Sequence, residues 1–242
     1  MSLGIEREYI MADQKIAVIV GAGAGLSASL AKKFSSVGFR VALAARDTEK
    51  LADLVDEING TAYTCDTSNP QSVQELFSAV AADLGLPEVV VFNASQRVRG
   101  AITEIDPEEV RNALLTTCYG GFLVGQEAAK LMVRAGQGTI MFTGASAGVK
   151  GFPKSATFAM GKFGLRGLAQ SMARELHPQN IHVVHVVVDG GILSESKGRV
   201  ARQDEDGWLL PDAIADTYYH LYTQHRSSWT WEIEVRPWVE KF

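Results

Sequence analysis

Cysteine is almost missing from this sequence: only Cys65 and Cys118 occur, far apart and each inside an apparently regular element. That excludes a disulfide framework and leads us to expect a reducing, cytoplasmic compartment. No stretch approaches the roughly 20 apolar residues of a membrane span, so a membrane partner is not expected. Lysine and arginine number 23 against 28 aspartates and glutamates, a formal charge of −5, and the basic residues are scattered. Without a basic face to follow a phosphate backbone, nucleic acid is not expected as a partner either, and no metal site is expected. The first ten residues, MSLGIEREYI, have neither the apolar core of a signal peptide nor the arginine-rich character of a transit sequence. They read as a non-native or flexible arm ahead of Met11, with residues 11 to 242 forming one domain.

What is present is apolar and regularly spaced. Across 242 residues the hydrophobic share is 46%, enough for one sizeable core. KIAVIV (15 to 20) and RVALAA (40 to 45) are near-continuous apolar runs, as strands covered on both faces require. TAYTC (61 to 65), EVVVF (88 to 92), GTIMFT (138 to 143), IHVVHVVV (181 to 188) and residues 231 to 235 read as further strands. Between them lie helical patterns at 25 to 37, 48 to 58, 70 to 82, 107 to 133, 153 to 176 and 211 to 223. Pro70, Pro107 and Pro211 suit first helical turns, and Asp106 suits an N-cap. Strict alternation of strand and helix implies right-handed crossovers. The expected fold is a Rossmann-type, doubly wound α/β parallel sheet of about seven strands with helices on both faces, its ligand beyond the strand carboxyl ends.

VIVGAGAGLSASLAKKF (18 to 34) is a strand, a glycine-rich turn and an amphipathic helix. Gly21, Gly23 and Gly25 let the backbone turn sharply and approach a pyrophosphate, whose charge the helix N-terminus favours, and Ala24 and Leu26 are expected to bind the cofactor beside them. The same GxG also occurs in proteins that bind S-adenosylmethionine, and a purely structural turn is a further alternative. At the end of the second strand, where an acidic residue would hold ribose hydroxyls, the chain has Arg46. A guanidinium there suits the 2′-phosphate of NADP through charge-assisted hydrogen bonds, so NADP(H) is expected over NAD(H). A solvated surface arginine is the alternative.

At this point the chain resembles the short-chain dehydrogenase/reductase family, from about Lys15 to Val235. The family's GxxxGxG pattern falls on Gly21, Gly25 and Ser27, with serine for the third glycine. Its adenine-contacting aspartate and the following residue fall on Asp66 and Thr67 of TCDTSNP, and its NNAG signature on Phe92, Asn93, Ala94 and Ser95. Its PGxVxT segment falls on VVVDGGILSES, where Asp189 replaces the proline, Gly190 is kept, Ile192 is the apolar position and Ser194 stands for threonine. The resemblance implies hydride transfer between a nicotinamide cofactor and a carbonyl or alcohol.

In that family a tyrosine is the acid/base, a lysine four residues later lowers its pKa and holds the nicotinamide ribose, a serine holds the carbonyl, and an asparagine completes a proton relay. A phenol of reference pKa about 10 sheds its proton near neutrality only beside such a charge. With Gly148, Pro153 and Lys162 as anchors, Phe158 of TFAMGKF falls on the tyrosine and Ala145 on the serine. Gly120 and Phe122 set Thr117 on the asparagine. Of the catalytic tetrad only Lys162 is kept. Ser146 leads as a substitute carbonyl holder, and Ser155, Thr157, Tyr119 and His185 are weaker candidates for a replacement donor. The expected protein is an NADP(H)-dependent oxidoreductase of weak or atypical activity; the alternative is a catalytically inactive NADP(H)-binding regulator or scaffold.

The segment from about 193 to 210 is where the family places its substrate loop, and no substrate can be named from it. Trp208, Leu209 and Leu210 either line an apolar pocket or pack the next helix. The helices at 107 to 133 and 153 to 176 correspond to those through which family members usually dimerise. Trp231, Pro237, Trp238 and Phe242 put much aromatic surface near the chain end. A homodimer or homotetramer is expected, with the tail against a neighbouring subunit.

Overall fold

The computed structural model describes residues 14–194, 198–199 and 207–240. The arm before Met11, Phe242 and most of the expected substrate loop lie outside the described residues. The chain runs β1 (Ile16–Val20), α1 (Leu26–Ser36), β2 (Arg40–Ala45), α2 (Ala52–Ile58), β3 (Thr61–Thr64), α3 (Pro70–Asp83) and β4 (Val89–Phe92). It continues through α4 (Pro107–Leu114), α5 (Gly120–Ala135), β5 (Gly138–Thr143), α6 (Ala156–Leu176), β6 (Ile181–Val188), α7 (Pro211–Thr223) and β7 (Glu232–Val235). All neighbouring strands pair in parallel in the order β3-β2-β1-β4-β5-β6-β7. This is the doubly wound sheet expected from the alternation of runs.

Successive side chains of a strand point to opposite faces, and the chain fills both with apolar groups. Val18, Val20, Val90 and Phe92 join the layer formed with Phe77, Val124 and Leu165 of α3, α5 and α6. Ala17, Ile19, Val89 and Val91 join the opposite layer with Leu30, Phe34 and Tyr218 of α1 and α7. Phe34 and Leu30 are fully buried, each stabilising the fold by about 1.5–3 kcal/mol relative to exposure. Helix starts follow local chemistry: the Asn69 side chain accepts from the Gln71 and Ser72 amides ahead of Pro70, and Asp106 accepts from the Glu108 amide.

Several boundaries differ from the sequence reading; among them, the helix expected at 48 to 58 is α-helical only from Ala52, after a 3₁₀ turn at Glu49–Leu51. The run from 107 is not one continuous α-helix; a π turn at Leu115–Tyr119 separates α4 from α5. There the Thr117 hydroxyl accepts from the Gln96 amide at 3.0 Å. Gly120 lies so close to Thr67 that a Cβ would meet its carbonyl oxygen at 2.8 Å. Helix α6 begins at Ala156, three residues later than expected, because Lys154 has left-handed backbone, φ 57°, which a right-handed helix cannot contain. Cys65 lies just past β3 and is buried; it and Cys118 are both free thiols.

The switch in strand order between β1 and β4 opens a crevice at the carboxyl ends of the strands. The turn after β1, Asn93 after β4, Gly144 after β5 and Gly190 after β6 all converge on it.

Candidate functional site

The crevice is a cleft of about 470 Å³ that brings together Gly21, Gly23, Ala24, Gly25, Leu26, Asn93 and Ser95 with Ala145, Ser146, Phe158 and Lys162. Ile192 and Ser194 also line it. At one end, Gly21 has φ 84°, and a Cβ on it would stand 2.4 Å from the Ala94 amide nitrogen, so no other residue fits. Gly23 and Gly25 face open space, leaving room for a group laid against the backbone. Gly25 starts α1 without any side-chain cap, so the first amides of that helix remain available to an anion. This cradle fits a dinucleotide pyrophosphate.

Serine at the third glycine position has a structural use. Ser27 is buried; its hydroxyl donates to the Gly21 carbonyl at 3.0 Å and accepts from the Asn93 amide group at 2.7 Å. The turn after β1 is thereby tied to the end of β4. Ala94 contributes its backbone behind Gly21 rather than to the cleft wall.

Lys162 reaches the cleft floor from α6. It is buried, and its Nζ donates to the Thr143 carbonyl at 2.6 Å, fixing one of three donors and leaving the others for a ribose. Burial pulls its pKa down to about 8. Phe158, one turn earlier on the same helix, also faces the cleft, with Lys162 Nζ 5.9 Å from its ring centroid. Ala145 and Ser146 form the wall after β5, and the Ser146 hydroxyl makes no hydrogen bond among the described residues. It is therefore available to donate to an oxygen placed there.

The remaining candidates are placed differently. Thr117 is buried and holds the Gln96 backbone, away from the cleft lining, so it supports the loop after β4. Thr157 is buried with its hydroxyl unpartnered, Tyr119 stacks on Phe122 at the surface, and His185 lies beneath Gly144. None of the three lines the cleft. The His185 ring bonds Glu232 at 2.9 Å, Arg166 grips the same carboxylate through two nitrogens, and burial lowers the imidazole pKa. Ser155 is buried at the start of α6 and accepts from Arg97.

Arg46, Asp66 and Thr67 stand beyond the cleft lining, at the ends of β2 and β3. Arg46 is exposed. The Asp66 carboxylate accepts from the Ser68 hydroxyl and amide, which hold its pKa below the usual range, with Arg46 adding to the effect. Around the substrate loop, Leu209 pairs with Ile192 and packs into the core, Trp208 covers Gly191, and Leu210 is exposed. The three do not form an apolar pocket wall; the packing alternative holds for Leu209. Asp189, where a proline was expected, is a buried carboxylate paired with Arg236 at 2.6 Å and Lys150 at 3.4 Å. In the tail, Trp231 packs on the core of its own subunit and Pro237 against Gly190; Trp238 alone is strongly exposed.

Among the cleft residues that sequence reasoning missed, two are charged, Arg97 and Arg199. Arg97 enters from the loop after β4, its guanidinium 4.9 Å from the Phe158 ring centroid and its Nη2 donating to Ser155 Oγ at 3.1 Å. The available signal was a cation two positions beyond Ser95, on a loop that has to leave the sheet at its ligand end.

Among the described residues no helix is long and apolar enough to cross a membrane, and no cluster of three or more His, Cys, Asp or Glu could hold a metal ion. The short chain dehydrogenase family model matches residues 15–205. A crystal structure of a short-chain dehydrogenase from Rhodopseudomonas palustris is 39% identical, with TM-score 0.80, covering 93% of this chain and 99% of that one. A metagenomic short-chain oxidoreductase crystallised with NADP is 30% identical, with TM-score 0.80, covering 93% and 98%. The trans-4-hydroxycyclohexanecarboxylate dehydrogenase of Sinomonas cyclohexanicum is 30% identical over 181 residues, 70% of each chain. By the family match over most of its length and by these relatives, the chain belongs to the short-chain dehydrogenase family.

Proposed function

We propose that this protein binds NADP(H) in the cleft and carries out slow hydride transfer on a carbonyl or alcohol, without the acid/base tyrosine of its family. The observation that carries this reading is the cleft itself. The Gly21–Leu26 turn and buried Lys162 are in place for a dinucleotide, while Phe158 and Ala145 offer no exchangeable proton at the reacting end. A bound nicotinamide supplies or accepts the hydride. The chain's own residues hold it: the uncapped α1 amides at the pyrophosphate, Lys162 at the ribose, Arg46 at the 2′-phosphate, and Asp66 and Thr67 toward the adenine. The NADP-bound metagenomic relative supports the choice of nucleotide.

Ser146 is the group we assign to the substrate oxygen, since its hydroxyl is unengaged and lines the cleft. A serine hydroxyl donates a hydrogen bond but is a poor acid, so the proton has to come from water, and turnover is slow. The lack of any phenol at the reacting end also favours a second reading, in which the protein binds NADP(H) as a regulator or scaffold and turns nothing over.

We further propose a homo-oligomer assembled through α4, α5 and α6, whose surface leaves Phe122, Val133, Met160 and Phe163 between 41% and 53% exposed. The free Cys65 and Cys118 thiols suit a cytoplasmic setting. Paired NADPH and NADH titrations, followed by a turnover screen of carbonyls and alcohols, test the main reading. Tight NADPH binding with weak turnover is expected; tighter NADH binding overturns the role given to Arg46.

A further inference from the structure

The reacting end of the cleft carries the phenyl ring of Phe158 and positive charge. Arg97 and Arg199 both line it, from the loops after β4 and β6. Each guanidinium is held in place by neutral groups. Arg97 lies over Phe158 and donates to Ser155 Oγ; Arg199 lies 5.4 Å from the Trp208 ring centroid and donates to the Ile192 carbonyl at 3.2 Å. Neither has an acidic partner among the described residues. Partial burial lowers the Arg97 pKa, with Arg99 and then Arg199 adding to the effect.

Arg97 is exposed at the cleft and Arg199 is half-buried, so two solvent-accessible cations, without an acidic partner among the described residues, face an incoming anion. The buried Asp189 carboxylate is neutralised by Arg236 and Lys150, and Glu232 is paired with Arg166. The stacked, hydrogen-bonded Arg97 is pre-organised, and its planar donor fork matches a carboxylate or phosphate.

We propose that this end of the cleft is an anion-binding subsite, in which Arg97 and Arg199 hold a carboxylate or phosphate group carried by the substrate beside Phe158. The proposal names a substrate class for the reading above, and rests on that reading for the claim that the anion belongs to a substrate. The arginines bind and orient; no proton is assigned to them. An anion gripped here positions the rest of the molecule toward Ser146 and the Lys162 floor.

Benzoate, phenyl phosphate and benzyl alcohol are suitable probes, because their shared ring suits the Phe158 face and only the charge differs. The full chain is titrated with each, with and without saturating NADPH, as wild type, Arg97→Gln, Arg97→Lys and Arg199→Gln. The expected result is binding of at least one anion about tenfold or more tighter than benzyl alcohol, lost about tenfold in Arg97→Gln and partly restored in Arg97→Lys. NADPH affinity is expected to stay within about twofold across the variants. Benzoate against phenyl phosphate decides between carboxylate and phosphate.

Equal affinity for benzyl alcohol and the anions, or no binding of any probe to the wild type, overturns the subsite while leaving the nucleotide reading intact. Parallel loss of NADPH affinity in Arg97→Gln also overturns it, because the arginine then serves the cofactor. Arginine-dependent anion binding by a chain that fails to bind NADPH has the reverse meaning: the subsite stands and the nucleotide reading falls. Should Arg97→Gln not fold, Arg97→Lys and Arg199→Gln carry the same comparison.

Discussion

At the glycine-rich end of the cleft Ser27 and Asn93 are hydrogen-bonded to each other and to the Gly21 turn, whereas at the reacting end Arg97 and Lys162 flank the apolar ring of Phe158. The first arrangement fits a ligand built from phosphates and ribose. At the second, phenylalanine and alanine carry no exchangeable proton, arginine and the half-buried Ser146 hydroxyl are poor acids, and the Lys162 ammonium is held by the Thr143 carbonyl. Different elements carry the two ends: the turn after β1 in one case, α6 and the wall after β5 in the other.

The contrast is broken most strongly by restoring the missing groups. Phe158→Tyr combined with Ala145→Ser is expected to raise carbonyl reduction by about 10²- to 10⁴-fold, measured as NADPH consumption. Failure of the double variant to gain activity, with NADPH still bound, contradicts the reading of the reacting end as a reductase site lacking its tyrosine and serine.

The next effect comes from Lys162, whose folded pKa of about 8 lies below the reference value of 10.5. A lysine depressed in this way costs stability while charged, so the penalty is full below about pH 8 and fades as pH rises toward 10.5. Denaturant unfolding of Lys162→Met against wild type is expected to show the variant favoured near neutrality, on the order of 3 kcal/mol from this source alone, with the advantage vanishing above pH 10.5. The same variant should bind NADPH about tenfold or more weakly. A pH-independent difference would contradict the buried charge.

At the glycine end, Gly21→Ala puts a Cβ where only left-handed backbone and a 2.4 Å approach to the Ala94 nitrogen are on offer. A loss of about 2 kcal/mol in unfolding free energy is expected, together with loss of nucleotide binding. Gly23→Ala, facing open space, is the control on stability and should cost less than about 1 kcal/mol. The smallest effect is at the rim. Arg46→Ala is expected to change the ratio of NADPH to NADH affinity by about tenfold, in favour of NADH, with no change in stability.

Much of this was legible in the chain before its structure. Apolar runs and proline-marked helix starts gave the sheet and its crossovers, because periodicity and backbone restriction act locally. The glycine turn and Lys162 were also legible, since their spacing along one turn or helix face fixes their neighbours. Arg97 was not: its position over Phe158 depends on the path of an irregular loop between two elements distant in sequence. The π turn at Leu115–Tyr119 and the roles of Ser27 and Thr117 were hidden for the same reason, each being a hydrogen bond between segments that only the fold brings together. Composition also does not reveal that Trp231 packs half-buried on its own core and that Pro237 lies against Gly190.

The central claim is that nucleotide binding is kept while proton transfer is lost. Fluorescence titration of the wild-type chain with NADPH, followed in the same sample by addition of carbonyl substrates and observation of cofactor oxidation, tests it most directly. Saturable NADPH binding with oxidation far slower than in the Phe158→Tyr, Ala145→Ser variant is the predicted result. Absence of saturable binding, or oxidation by the wild type as fast as by that variant, would contradict the account.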